Sequence, residues 1–284
     1  MSDVRRLIPI LTGRHRYDAS LSLRRHPPGT IIEAPILAYL VETTHGRVLY
    51  DVGCDYRKIN DAALREVHFG AAGFPFGPPV MHEQDRLPVL LARLGIAPRD
   101  VDAVVLGHLH FDHAGGLRDF LGAEIHCHAA EWEAAQQNGD GAYFADDFGG
   151  AHRWRFDREE RSLCAGLRII DSPGHTAGHR SLVVEPAGGA PVILAGDAAD
   201  LQENLDREIV PGIIWRDAGG RDREDLALAS IRQLKARAAA EGAELWPNHD
   251  LAHWRRLLQR GWPVLAAPPY VESPPPVPSP PAPP

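Results

Sequence analysis

Cysteine is scarce in this chain. Its 284 residues hold three, Cys54, Cys127 and Cys164, an odd set without C-x-x-C spacing, which excludes a disulfide scaffold and a cysteine-based zinc site. Long apolar runs are also lacking. None approaches the roughly 18 residues that a membrane span requires, so no membrane partner is expected. The N-terminus, "MSDVRRLIPILTGRH", has one five-residue apolar stretch and no small-residue cleavage site, so it does not read as a signal peptide and the expected location is cytoplasmic. Basic excess is missing as well. Thirty Lys and Arg stand against 38 Asp and Glu, a net charge of −8, and no Lys/Arg stripe offers the basic face that nucleic acid requires. What remains is an ordinary globular composition, 44% hydrophobic and 24% charged, in a chain long enough to bury a large core as one domain.

The end of the chain, "SPPPVPSPPAPP", has too few backbone N–H groups to hold a helix or a ladder. One folded domain over residues 1–270 and a disordered proline-rich tail over 271–284 are therefore expected. Within the domain, "IIEAPILAYLVE" and "GRVLYDVG" read as strands separated by the turn "THG", and "VDAVVLG", "AEIHCH", "GLRIIDS", "RSLVVE", "PVILAGD" and "AELWPN" as further strands. Helical spacing marks Glu83 to Leu94, with Pro88 in its first turn if the helix starts late. Helices are also expected from Ala129, from Asp222 as N-cap through "DREDLALASIRQLKARAAAEG", and over "DLAHWRRLLQR". Strand clusters flanked by helices in both halves predict a layered α/β sandwich rather than an alternating βαβ array.

The densest chemistry lies in "HLHFDHAGGL", residues 108–117, directly after an apolar strand. His108 and His110 are two apart, so on an extended chain both imidazoles face one side and can reach one metal. Asp112 and His113 follow with a carboxylate and a third imidazole. A solvated histidine-rich loop is the bland alternative, but three distant segments add ligand types of the same kind: "DSPGHTAGH" carries His175, "ILAGDAAD" carries Asp197 and "ELWPNHD" carries His249. Each lies just past an apolar strand. One metal would leave ligands over; two use them all.

This constellation resembles the metallo-β-lactamase superfamily, whose H-x-H-x-D-H signature is met by His108, His110, Asp112 and His113 and whose later ligands match His175, Asp197 and His249; Asp51 in "LYDVGCD" matches its supporting aspartate. The resemblance implies a four-layer αββα sandwich with two divalent metal ions, zinc expected, at one edge of the sheets. It implies His108, His110 and His175 on one ion, Asp112, His113 and His249 on the other, and Asp197 bridging. Two dications, two carboxylates and a hydroxide sum to roughly +1, which suits an anionic tetrahedral intermediate. Asp112 is the expected catalytic residue, moving the proton of the attacking water.

The flanks "HLHFDHAGG", "SPGHTAGHRSLVVE" and "LALASIRQLK" look most like N-acyl-homoserine lactonases. The expected function is thus a metal-dependent hydrolase that opens a lactone by attack of a metal-bridging hydroxide on a small-molecule substrate, a quorum-quenching activity. A thioesterase, a phosphodiesterase and an iron-dependent sulfur dioxygenase can be built on similar ligands, and a non-catalytic metal-binding module is the plainest alternative. One position departs from the lactonases: they carry a tyrosine three residues after the bridging aspartate, where this chain has Asp200, and an ionised carboxylate cannot donate to a substrate carbonyl. Tyr143 and His179 are the candidate replacements. Of the remaining features, His126 and His128 with Glu131 could form another metal site but read better as strand-end histidines. Phe74, Phe76, Trp154 and Trp215 could line an acyl pocket, though aromatic residues of this size are more often core, and the Gly/Pro-rich residues 70–81 read as either a flap over the site or a buried connector.

Overall fold

Ala38, Tyr39, Leu40 and Val41 are consecutive and all buried, which a strand permits only when both faces of its sheet are covered. Tyr39 and Val41 pack into one apolar cluster and Ala38 and Leu40 into another. The computed structural model describes residues 1–137 and 141–267, and the alternation recurs through it. One sheet runs in the order β1 (Val4–Asp18), β2 (Ile31–Thr43), β3 (Arg47–Tyr50), β4 (Ala103–Val105), β5 (Glu124–His128) and β6 (Arg153–Asp157). Its first two pairings are antiparallel and its last three parallel.

The second sheet runs β11 (Glu244–Trp246), β10 (Val192–Leu194), β9 (Arg180–Val184), β8 (Leu167–Asp171) and β7 (Arg161–Cys164), with only β10 and β11 parallel. Leu182, Val184, Val192, Leu194 and Trp246 meet Leu37, Tyr39, Val41 and Tyr50 of the first sheet in the central core. The intervening Val183 and Ile193 face the opposite way, onto Ile231, Leu234 and Ala238 of the helix Glu224–Glu241. On the outer face of the first sheet, Ile8, Leu40, Leu49 and Val104 pack on Leu90, Leu91, Leu117 and Phe120. The order of layers is therefore α, β, β, α, as the sequence leads one to expect.

Several local expectations change. Residues 83–94 divide into a 3₁₀ turn, Glu83–Asp85, and a helix, Leu87–Ala92, with Pro88 in its first turn, where a missing N–H costs nothing. Asp222 is not the N-cap of the long helix; Arg223 precedes it without a side-chain cap, while Asp222 pairs with Arg24 and Arg216. The 15-residue β1 has no counterpart among the predicted strands, because the pairing slips at Val4/Arg6 and Leu11/Gly13 and the slips break its period of two. The expected tail, 271–284, lies outside the described residues. No helix among the described residues is long and apolar enough to cross a membrane.

Candidate metal centre

The C-terminal ends of β3, β4, β8, β10 and β11 lead into Asp51, His108, His175, Asp197 and His249, and the sandwich brings them to one edge. After β4 the chain bends at Gly107, is extended at His110 (φ −66°, ψ 156°), and then turns into the short helix Phe111–Ala114. That change of period decides the layout. His108 and His110 project together from the extended stretch, and the helical turn carries Asp112 and His113 to a separate position.

Two ligand triads result. His108, His110 and His175 have ligating atoms within 4.8 Å of one another, and so do Asp112, His113 and His249. Asp197 lies between them: its Oδ2 is 3.8 Å from His108 Nε2, 3.5 Å from His175 Nε2, 3.4 Å from His113 Nε2 and 3.2 Å from His249 Nε2. All seven side chains that the sequence singles out are brought together.

The donor set fits metal ions on two counts. Both ring nitrogens of His108 and Nε2 of His113 are buried without a hydrogen-bond partner, a cost of about 1–3 kcal/mol each that a bound cation removes at one nitrogen of each ring. The far nitrogens of other ligands are already engaged. His249 Nδ1 bonds the Pro35 carbonyl at 2.9 Å, His175 Nδ1 the Ile213 carbonyl at 3.0 Å, and His113 Nδ1 the Asp51 carboxylate at 2.8 Å. Donation of Nδ1–H to an oxygen leaves the Nε2 lone pair turned inward, the arrangement metal-binding histidines use. Asp51 also accepts from Gly107 N at 2.7 Å, so it ties the strand end before His108 to the ring of His113.

Electrostatics agree. Burial, with the nearby charge of His113, holds His108 well below the ordinary histidine range, and burial brings His175 down to about 4. Burial opposes ionisation of Asp197, but His249 and His113 outweigh it and hold that carboxyl well below its usual range. His249 is raised to about 10 although burial lowers it, because Asp197 and Asp112 surround it with negative charge. A carboxylate-rich half that draws positive charge is where a dication replaces protons.

The centre opens into a cavity of about 460 Å³ that touches Asp112, Asp197, Asp200 and His249 at its floor. Phe74, Pro75 and Phe76 form one wall and Leu21 and Ile213 another. Of residues 70–81, then, Gly73 to Gly77 cover the site, while Val80 pairs with Arg14 and Met81 is buried. Trp154 and Trp215 are not in the cavity. Trp154 stacks on Phe156 at 5.5 Å on the edge strand, and Trp215 lies under the Arg223 guanidinium. The His126, His128 and Glu131 grouping is not a metal site: His126 faces Glu124, His128 caps its helix by accepting from Ala130 N, and Glu131 points elsewhere. Neither candidate donor is available as expected. The Tyr143 hydroxyl bonds Glu131 at 2.9 Å, and His179 Nε2 accepts from Asp197 N at 2.9 Å.

Two polar cavity residues escaped the sequence reading. His15 and Tyr17 both line the pocket from the end of β1. Their i, i+2 spacing is the signal that marks His108 and His110, but it is legible only once the segment is known to be a strand. Tyr17 is 8% exposed, and its hydroxyl is 3.0 Å from Ser22 Oγ. Asp200 shares this side of the cavity, with Oδ1 buried and unpartnered; burial, reinforced by Asp197, pushes its carboxyl up to about 8.

Residues 32–240 match the model of the metallo-β-lactamase superfamily. The chain is 32% identical over 252 residues to an N-acyl homoserine lactonase of a Bacillus species, covering 89% of this chain and 96% of that protein. It is 29% identical over 236 residues to the N-acyl homoserine lactonase AttM of Azorhizobium caulinodans, covering 80% and 86%. Among solved structures it resembles an N-acyl homoserine lactone hydrolase with the product N-hexanoyl-L-homoserine at its catalytic metal centre, with a TM-score of 0.79, 30% identity, and coverage of 90% of this chain and 97% of that one. Fold, motif and similarity converge: this chain belongs to the metallo-β-lactamase superfamily.

Proposed function

We propose that the protein is a dinuclear zinc hydrolase that opens N-acyl-homoserine lactones, and so silences the bacterial signals made of them. The observation that carries this reading is the join between the Asp197-bridged triads and an apolar cavity of about 460 Å³. A small polar ring needs the first and an acyl chain needs the second. The similarity to lactonases over 80–89% of the chain supports the same reading over the thioesterase, phosphodiesterase and dioxygenase alternatives.

His108, His110 and His175 would hold one ion, Asp112, His113 and His249 the other, and Asp197 both. Imidazole with carboxylate suits zinc, and the absence of thiolate among these ligands is consistent with a catalytic site. Two such ions, when bound, supply an acidified water and polarise the substrate carbonyl. The protein's own part is proton management and orientation. Asp112 Oδ2 lies 3.7 Å from His113 Nε2 and 3.6 Å from His249 Nε2 and faces the cavity. It takes the proton released as water adds to the ring carbonyl and returns it to the ring oxygen as the C–O bond breaks. One water is added and one hydroxy acid forms. Tyr17, which lines the cavity beside Asp200 at the family's tyrosine position, supplies a neutral hydroxyl near the carbonyl. Phe74, Phe76, Leu21 and Ile213 exclude water from the acyl chain.

The direct test is hydrolysis by protein of measured metal content. N-hexanoyl- and N-decanoyl-homoserine lactone, an acyl thioester and a phosphodiester are compared at equal concentration, with the lactones expected to be turned over fastest. Metal-loaded protein that cleaves the thioester or phosphodiester and leaves both lactones intact would refute the assignment.

A further inference from the structure

Glu131 is fully buried yet joins none of the candidate ligand clusters among the described residues. It lies in the first turn of the helix Ala129–Gln136, and its carboxylate accepts three hydrogen bonds. Oε1 receives Leu109 N at 3.0 Å and the Tyr143 hydroxyl at 2.9 Å; Oε2 receives Gly178 N at 3.1 Å. Each donor belongs to the framework of one triad. Leu109 separates His108 from His110. Gly178 lies in the loop that presents His175. The Tyr143 ring packs against the His110 ring at a centroid distance of 4.7 Å. The close approach is also built into the chain, since a Cβ at Gly178 would meet Glu131 N at 2.3 Å.

The other triad has its own organiser. Asp51 holds His113 Nδ1 and Gly107 N, and adopts a positive φ of 58° to do so. No such contact links Glu131 to Asp112, His113 or His249 among the described residues. Asp51 thus ties the strand end before His108 to the second half of the centre, while the contacts of Glu131 stay within the first half.

We propose that Glu131 is the positioning residue of the His108/His110/His175 site alone and sets the affinity of that ion independently of the other. The proposal rests on the metal assignments above. Its chemistry follows from counting acceptors. Glutamine has the same shape but one accepting oxygen, and its amide group brings two donors. Whichever way Glu131→Gln is turned, an N–H faces either Gly178 N–H or the Leu109 N–H and Tyr143 hydroxyl pair. The loops carrying His108, His110 and His175 lose their common anchor, and supporting partners of this kind are worth roughly 10- to 100-fold in metal affinity.

The test is zinc titration against a chromophoric chelator, with elemental analysis, on the full-length protein. Wild type should bind two ions, and Glu131→Gln should weaken one by about 10- to 100-fold while leaving the other unchanged. Location follows from two backgrounds. In His249→Ala, which spares the first triad, adding Glu131→Gln should weaken the remaining ion; in His110→Ala, which spares the second, it should change nothing. Tyr143→Phe deletes one of the three hydrogen bonds without leaving an opposed donor. It should show the same selectivity at about fivefold, which keeps the test open if Glu131→Gln folds poorly. Equal weakening of both ions, or an equal effect in both backgrounds, overturns the proposal. So does unchanged binding of two ions by both variants. Wild-type protein that binds fewer than two ions would instead overturn the metal centre itself.

Discussion

Replacing Asp197 with asparagine tests the shared bridge most sharply, because the structure dictates which way the amide must turn. Asn248 Nδ2 donates to Asp197 Oδ1 at 3.0 Å, so an asparagine satisfies that donor only with its own oxygen in the Oδ1 position. Its NH₂ group then occupies the Oδ2 position, within 3.2–3.8 Å of four imidazole nitrogens. A donor cannot ligate a cation, and the formal charge of the loaded centre rises from roughly +1 to +2. Removing one charge from a buried, paired set costs about 3–5 kcal/mol, or roughly 10²- to 10⁴-fold in affinity. Since Oδ2 faces both triads, both ions should weaken together. Chelator competition at fixed pH, with metal counted after gel filtration, reads this directly. Loss of one ion with the other held at wild-type affinity would refute the bridge.

Three further outcomes are expected. Asp112→Asn should lower turnover by about 10²- to 10⁴-fold at matched metal content; a fall that merely follows metal loss would remove its proton role. Tyr17→Phe should cut kcat/KM for the lactone about 10- to 100-fold with both ions retained, and an unchanged rate would show that its hydroxyl faces Ser22 only. Stability should depend on His253, whose ring packs on Trp246 with Nε2 buried and unpartnered. Burial, and then the Arg256 charge, lower it to about 4. The unfolded chain takes up this proton near pH 6.5 and the folded one only near 4, so stability is fully present above 6.5 and falls by about 3 kcal/mol as pH drops to 4. His253→Phe should flatten that part of a denaturation profile by one proton, and an unaltered slope would contradict the assignment.

The cluster of seven side chains was legible because its spacing obeys local geometry: two histidines in i, i+2 register, then a carboxylate and an imidazole in the next turn, each distant member just past an apolar strand. The layered fold was legible for a related reason, since strands covered on both faces read as continuous apolar runs such as those around Leu40 and Val183. Other features depend on which segments meet. The slips in β1 hid its period and with it the joint projection of His15 and Tyr17 into the cavity. Tyr143 and His179 carry the right groups for donation, but Glu131 and the Asp197 amide already engage them, and a sequence does not show who reaches a hydroxyl first. Glu131 itself entered the sequence reading only as the weaker alternative, a ligand beside two histidines that read better as strand-end residues. Only the folded chain, by burying its carboxylate against Leu109 N and Gly178 N, makes it a brace between loops some 70 residues apart, because hydrogen-bond partners across that separation are chosen by the packing of the layers and not by neighbours along the chain.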